Sequence, residues 1–239
     1  AGGAAYIDTP TIVTADELLP AAERRRTGPP VKLALAAGRA ALNHAQRDAS
    51  TTATVFTSSA GDGENIHHIC ATLASPEREI SPTRFHNSVH NAAAGYWSIA
   101  TRSQAQSTSL CCYDASFAAG LLDAAAQVAV DGKPVALIAY DQPYLEPLHA
   151  VRAISASFGT ALVLTPDATA RVFARLEVDF MPGKASATRM ADRGLEALRA
   201  GVPAARCLPL LCALARGTTE IITLEYIAGS HLDVQVAPC

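Results

Sequence analysis

Residues 115–130, running from Ala115 through Phe117 and Leu121 to Val130, spell a helix that is apolar almost all round. A helix with no polar face must be covered on more than one side, so it has to sit between the layers of a stacked fold. Asp131-Gly132 supplies its stop. Residues 135–140 follow as a strand with no polar alternation, the pattern of a strand buried on both faces.

The flanking segments supply the other layers. Residues 31–47 are Ala/Leu-rich and read as a helix; residues 52–58, β-branched around Phe56, read as a strand. Ser59-Ala60-Gly61-Asp62-Gly63 then turns the chain into a helix with Ile66, Ile69, Cys70 and Leu73 at helical spacing. Residues 89–100 predict a second, more buried helix, and 107–112 a short strand. After a Pro-containing loop at 142–155 come strand-like runs at 160–164 and 172–178, and Met181-Pro182-Gly183 marks a boundary. Beyond it lie helices over 186–200 and 204–216, then a hairpin of 220–226 with 232–236. Strands alternating with helices predict an α/β fold, a mixed sheet with helices on both faces. The chain divides into residues 1–180 and a reduced carboxy-terminal helix and hairpin region at 181–239.

Composition narrows the function classes. The chain is 49% hydrophobic with few aromatics, which favours small-residue helices packed on a sheet over an aromatic-rich sandwich. A net charge of -3, with one basic cluster at Arg24-Arg25-Arg26 beside Glu23, argues against nucleic-acid binding. No apolar run approaches membrane-spanning length, and the first residues lack the basic and apolar regions of a secretory signal, so no membrane span and a cytoplasmic location are expected. Cys70, Cys111, Cys112, Cys207, Cys212 and Cys239 show no C-x-x-C pair and are expected to be reduced and buried as small hydrophobes.

The densest polar cluster, residues 81–91, contains His86, Asn87, His90 and Asn91 and runs into Tyr96-Trp97. His86 and His90 stand four apart, but no third ligand sits at a fixed spacing. Histidines hydrogen-bonded at a loop-to-helix junction or a subunit interface are the better reading, and no metal or cofactor is implied. The Ser59–Gly63 turn lies where a phosphate cradle would, yet it lacks the third glycine of a dinucleotide fingerprint and the Lys of a P-loop. Asp62 and Glu64 would also repel an anion. There is no G-x-S-x-G elbow of a serine hydrolase. The vicinal Cys111-Cys112 precedes a helix whose dipole would lower a thiol pKa and make a nucleophile. The competing reading ends a buried strand at both cysteines and puts the turn at Tyr113-Asp114-Ala115-Ser116.

Asn91-Ala92-Ala93-Ala94-Gly95, the 107–112 strand, the small-residue helix closed by Asp131-Gly132 and the 135–140 strand together resemble the first half of a β-ketoacyl synthase. Ser157-Phe158-Gly159-Thr160-Ala161 resembles that family's later Gly-rich strand, and the resemblance spans residues 30–180. Residues 80–100 and Tyr113-Asp114-Ala115-Ser116-Phe117 are similar, more closely, to the short chain-length-factor-like proteins of bacterial aryl polyene clusters. The resemblance implies a thiolase-like half. It also implies pairing with a full-length, active β-ketoacyl synthase, and contact with an acyl carrier protein through that complex.

Departures from the family pattern matter as much. Counting back from the 135–140 strand places the family's nucleophile near Asp114, with Cys111 and Cys112 two or three residues too early. A carboxylate cannot hold an acyl group as a thiolate does, and at a helix start Asp114 is expected to act as an N-cap. The family's two later histidines have no counterpart after Val178, where the last 60 residues contain His231 alone. A non-catalytic subunit is therefore expected. Tyr96, Trp97, Tyr113 and Phe117, with His86, Asn87, His90 and Asn91, are expected at a subunit interface or an acyl cavity. An active condensing enzyme or acyltransferase using Cys111 or Cys112, and a homodimeric structural protein, stay open as alternatives. Residues 1–30 offer only Tyr6-Ile7-Asp8 and Thr11-Ile12-Val13 where such a half opens with a buried strand, so native residues are expected before Ala1.

Overall fold

The computed structural model describes residues 6–7, 9–13, 19–167 and 172–239; Asp8 of the first extended stretch lies outside the described residues. In chain order the elements are α1 (Ala21–Arg26), α2 (Pro29–His44), β1 (Ala53–Thr57), α3 (Gly63–Ala74), α4 (Pro82–His86), α5 (Ala92–Thr101) and β2 (Ser107–Leu110). A 3₁₀ turn (Tyr113–Ala115) leads into α6 (Ser116–Asp131), β3 (Val135–Asp141), α7 (Leu148–Val151), β4 (Phe158–Leu164) and β5 (Ala174–Pro182). Then come α8 (Arg193–Gly201), a second 3₁₀ turn (Pro203–Cys207), α9 (Leu208–Arg216), β6 (Glu220–Glu225) and β7 (Ser230–Pro238).

β3 is buried along its whole length, as its unbroken apolar sequence requires. Its alternate side chains enter two different cores. Val135, Leu137 and Ala139 face α6, the second 3₁₀ turn and α9, while Ala136, Ile138 and Tyr140 face α2 and α5. The strand order is β2-β1-β3-β4, with β1 parallel to β2 and β3, and β4 antiparallel to β3. This is the expected mixed sheet with helices on both faces. Gly38 lets α2 settle on it, because a Cβ there would stand 2.7 Å from Ile138 Cδ1 and 2.9 Å from Trp97 Cζ3.

The first half of α6, from Ser116 to Leu121, is buried between layers as its all-round apolarity demands, whereas Val130 at its far end is exposed. Gly132 stops the helix in the left-handed conformation (φ 62°), its N–H donating to Val128 O at 3.1 Å. Beyond α9 lies an antiparallel sheet, β5-β7-β6. It presents Ile222, Leu224, Leu232, Val234 and Val236 to the core. Asp179, Thr223, Asp233 and Gln235 line its other face, where Thr223 Oγ1 donates to Asp233 Oδ1 (2.8 Å) and Gln235 Nε2 to Asp179 Oδ2 (3.3 Å).

Several expected boundaries move. The 89–100 helix begins at Ala92, after a separate short α4 whose first residue is Pro82. The 186–200 helix begins only at Arg193, where Asp192 accepts from Leu195 N–H (2.9 Å). Residues before it serve the edge of β6 instead: Thr188 N–H donates to Thr223 O (3.0 Å), and Thr223 N–H to Thr188 Oγ1 (2.9 Å). The 204–216 helix splits into a 3₁₀ turn and α9, with Pro209 in the first turn of the latter. The cysteines are all free, but only Cys207 is buried; Cys70, Cys111 and Cys239 are exposed. Cys70 is exposed because α3 carries its apolar side chains outward, burying only Asn65. Among the described residues no helix is long and apolar enough to cross a membrane.

Candidate functional site

The parallel strands β1, β2 and β3 end together, and each hands the chain to a turn. In open α/β sheets such strand ends are where functional groups collect. β1 runs into Ser58-Ser59, β3 ends on Asp141, and β2 runs through Cys111-Cys112 into Tyr113.

Asp141 is the buried anchor. Its Oδ1 accepts from Ser58 Oγ (3.1 Å) and Ser59 N–H (2.8 Å), and its Oδ2 accepts from Ala204 N–H (2.8 Å). Burial pushes its pKa up to about 6, against the downward pull of these hydrogen bonds and of Arg152. Ser59 Oγ accepts in turn from Arg152 Nη2 (2.8 Å) and lies 3.4 Å from the Tyr144 hydroxyl.

From Arg152 the network reaches the elbow. Arg152 Nη2 donates to Asp114 Oδ1 (2.9 Å), and its guanidinium carbon lies 3.3 Å from the centre of the Tyr113 ring. Arg206 Nη2 pairs with Asp114 Oδ2 at 3.0 Å, and Arg206 also pairs with Glu225 of β6. Tyr113 makes the sharp turn itself, with φ at 53° in the left-handed region that few non-glycine residues adopt. Ser116 ties the turn from inside: its Oγ donates to Tyr113 O (2.7 Å) and accepts from Cys112 N–H (3.1 Å).

The expected N-cap role of Asp114 is therefore corrected. Ala115 occupies the N-cap position of α6 with no side-chain cap, because two guanidiniums hold the Asp114 carboxylate instead. The expected activation of the cysteines also fails for Cys112, whose thiol burial, and secondarily the neighbouring Cys111, push up in pKa. The dipole of α6 acts within its first turn, and α6 begins only at Ser116. Cys111 turns its Sγ to Ser59 O at 2.8 Å.

The His/Asn cluster is tied together differently. Buried Asn87 donates to Arg26 O (2.7 Å) and accepts from the Tyr96 hydroxyl (2.9 Å). His90 Nε2 lies 3.3 Å from Ser58 O, His86 meets the Tyr96 ring edge-on, and Asn91 begins α5 exposed. Trp97 packs edge-on against Phe56, and Trp97 and Phe117 are buried in separate cores, whereas Tyr113 is exposed. Among the described residues no three His, Cys, Asp or Glu side chains converge as metal ligands.

Sequence reading singled out Asp114 but not Arg152, Arg206, Asp141, Tyr144 or Glu225. Two of these carry a visible signal. Asp141 directly follows an unbroken apolar strand, and Arg206 interrupts the small and apolar run from Val202 to Leu214, so each needs a partner when buried.

A strand, a strained elbow and a buried helix on a mixed sheet make an α/β protein whose polar groups collect at the carboxyl ends of its parallel strands. The model of the β-ketoacyl synthase N-terminal domain matches residues 5–208, and the chain belongs to that family. Among solved structures it is similar to a chain of the complex of a ketosynthase, ApeO, with its chain length factor, ApeC, from Xenorhabdus doucetiae: 22% identity, TM-score 0.71, covering 96% of this chain and 87% of that one. It is similar also to the ishigamide ketosynthase/chain length factor, with 14% identity and TM-score 0.65 over 94% of this chain and 85% of that one. A β-ketoacyl synthase from Burkholderia phymatum shares 15% identity at TM-score 0.58; the match covers 81% of this chain and 57% of that longer one. No curated protein matches the sequence.

Proposed function

We propose that this chain is a non-catalytic, chain-length-factor-like subunit. In this reading it pairs with an active β-ketoacyl synthase in the cytoplasm and serves carrier-protein-bound chain elongation of the aryl polyene or fatty-acid-like type. Its synthase-like half is residues 1–180 and its reduced carboxy-terminal region 181–239, with β5 crossing that boundary to join β7 and β6. The observation that carries the reading is the elbow. Asp114 stands at the turn with both oxygens committed to Arg152 and Arg206, where a condensing enzyme needs a nucleophile free to take up an acyl group. A carboxylate forms no acyl thioester, and both oxygens of this one are already taken up by guanidiniums.

Pairing is supported by β2, an edge strand. Thr54 N–H donates to Gln106 O and Ser58 N–H to Leu110 O, so even-numbered backbone groups of β2 face β1 and those of Ser107 and Ser109 point outward. No Lys, Pro or bulge guards that edge. Tyr113, His86, His90 and Asn91 flank the interface in this reading, with Asn87, Tyr96, Trp97 and Phe117 fixing the shape behind them. The likeness to a ketosynthase in complex with its chain length factor favours a heterodimer over a homodimer.

The test is co-expression with a ketosynthase that retains its Cys and two His. Co-purification is expected, with condensation of malonyl units on carrier protein requiring both chains. Ser109→Pro, which removes an outward N–H and leaves the β1–β2 ladder its donors, should abolish co-purification while lowering the melting temperature of the isolated chain only slightly, since Pro is tolerated on an edge strand. Turnover by the isolated chain, or stoichiometric cerulenin labelling of Cys111 or Cys112, sinks the silent-subunit reading in favour of an enzyme. A stable homodimer that ignores the ketosynthase leaves only the structural-protein reading.

A further inference from the structure

The two arginines at the elbow lie deeper than the carboxylate they hold. Side-chain exposure is 16% for Arg152 and 20% for Arg206, against 40% for Asp114. Each guanidinium takes a different oxygen, at 2.9 Å and 3.0 Å. Two planar cations converging on the two oxygens of one carboxylate is the geometry with which proteins recognise small carboxylates.

Each arginine also has a partner other than Asp114. Arg152 donates to Ser59 Oγ at 2.8 Å and lies over the Tyr113 ring. Arg206 pairs with Glu225, and among the described residues its buried Nε has no hydrogen-bond partner, which leaves a donor over for a ligand. The cations therefore keep their places when Asp114 is truncated, and a set of two positive and two negative charges becomes a set with one positive charge in excess.

We propose that Arg152 and Arg206 form a carboxylate-binding site that the chain fills with its own Asp114. The ligand is intramolecular and reaches in from the solvent side. Its effective concentration exceeds that of any free carboxylate, which keeps the site closed in the wild-type chain. Emptied by truncation, the site takes formate, acetate or one carboxylate of malonate. The inference does not depend on the pairing role, which the co-purification test decides separately.

The experiment uses the full chain with Asp114→Ala, and Asp114→Ser as a second variant. Melting temperature is followed in sodium formate and in sodium chloride at equal ionic strength. The variants should melt below wild type in chloride and recover saturably as formate rises, as a ligand that binds only the folded state must produce. Wild type, and Asp114→Ala combined with Arg206→Ala, should not distinguish the two salts. If neither variant folds in chloride, refolding yield on dilution into formate against chloride gives the same readout. An equal response to both salts, or a formate response that survives Arg206→Ala, overturns the proposal and leaves an ordinary surface ion pair.

Discussion

At the carboxyl ends of β1 and β3, polar groups meet polar groups in an unbroken chain from Ser58 through Asp141, Ser59, Arg152, Asp114 and Arg206 to Glu225. Along α3 and the outer edge of β2 the chain does the opposite. Ile66 and Leu73 of α3 are 39% and 48% exposed, the helix packs mainly against α4, and among the described residues β2 has no strand on its outer side. The closed region is where a condensing enzyme does chemistry, and the open one is where another chain could add to the sheet. In the proposed reading, the closed end explains a silent subunit and the open edge a place to be joined.

The sharpest way to break this contrast is to attack the closed region from below. Phe117 is buried in the first turn of α6, so Phe117→Ala should cost about 3–5 kcal/mol in denaturant unfolding. A loss below about 1 kcal/mol would mean that the elbow is not built on a packed core.

Asp141→Asn should come next, at about 1–3 kcal/mol near neutral pH, since its amide would set a donor against the Ser59 or Ala204 N–H. Its pH dependence has a defined sign. The folded-state pKa, about 6, lies above the ordinary 3.8, so the folded chain binds this proton more tightly than the unfolded one. The contribution is complete below pH 3.8 and lost as pH rises through about 6. Wild type should lose stability across that window relative to Asp141→Asn, measured as melting temperature at each pH; parallel curves would exclude a buried, protonatable Asp141.

Asp114→Asn should cost about 1 kcal/mol, the value being small because the carboxylate is partly exposed and screened. Raising salt to about 1 M should shrink that difference further. An N-cap would instead have made the substitution nearly neutral at any salt, since Asn caps as well as Asp. The smallest effect belongs to the open region. Ile66→Lys should change the stability of the isolated chain by less than about 0.5 kcal/mol while weakening co-purification with the ketosynthase. A large loss of stability in the isolated chain would show that α3 is already covered from within.

Much of the framework was legible in the sequence because it is written in local periodicity. The unpatterned 135–140 strand, the all-round apolar helix before it and the Asp131-Gly132 stop require a central strand and a sandwiched helix, and β3 and the first half of α6 are so placed. A turn at Tyr113-Asp114-Ala115-Ser116 was also legible, and the chain turns there, at Tyr113. Where local signals competed, boundaries slipped. Residues 186–192 look helical, but Thr188 is spent on the edge of β6, a partner 35 residues away. The cysteines likewise look like core residues by type, yet α3 turns Cys70 outward.

What tertiary structure alone decided is the state of the elbow. Sequence places Asp114 near the turn, but does not show that Arg152, 38 residues on, and Arg206 hold it, nor that Asp141 is pinned to Ser58 across 83 residues. Hydrophobic periodicity reports only which face of an element seeks the core. Which charges meet depends on how far each is drawn out of water and on separations fixed when β1, β3 and the Pro203–Cys207 turn converge. At those separations, a carboxylate suited to capping a helix is bound more strongly by two guanidiniums.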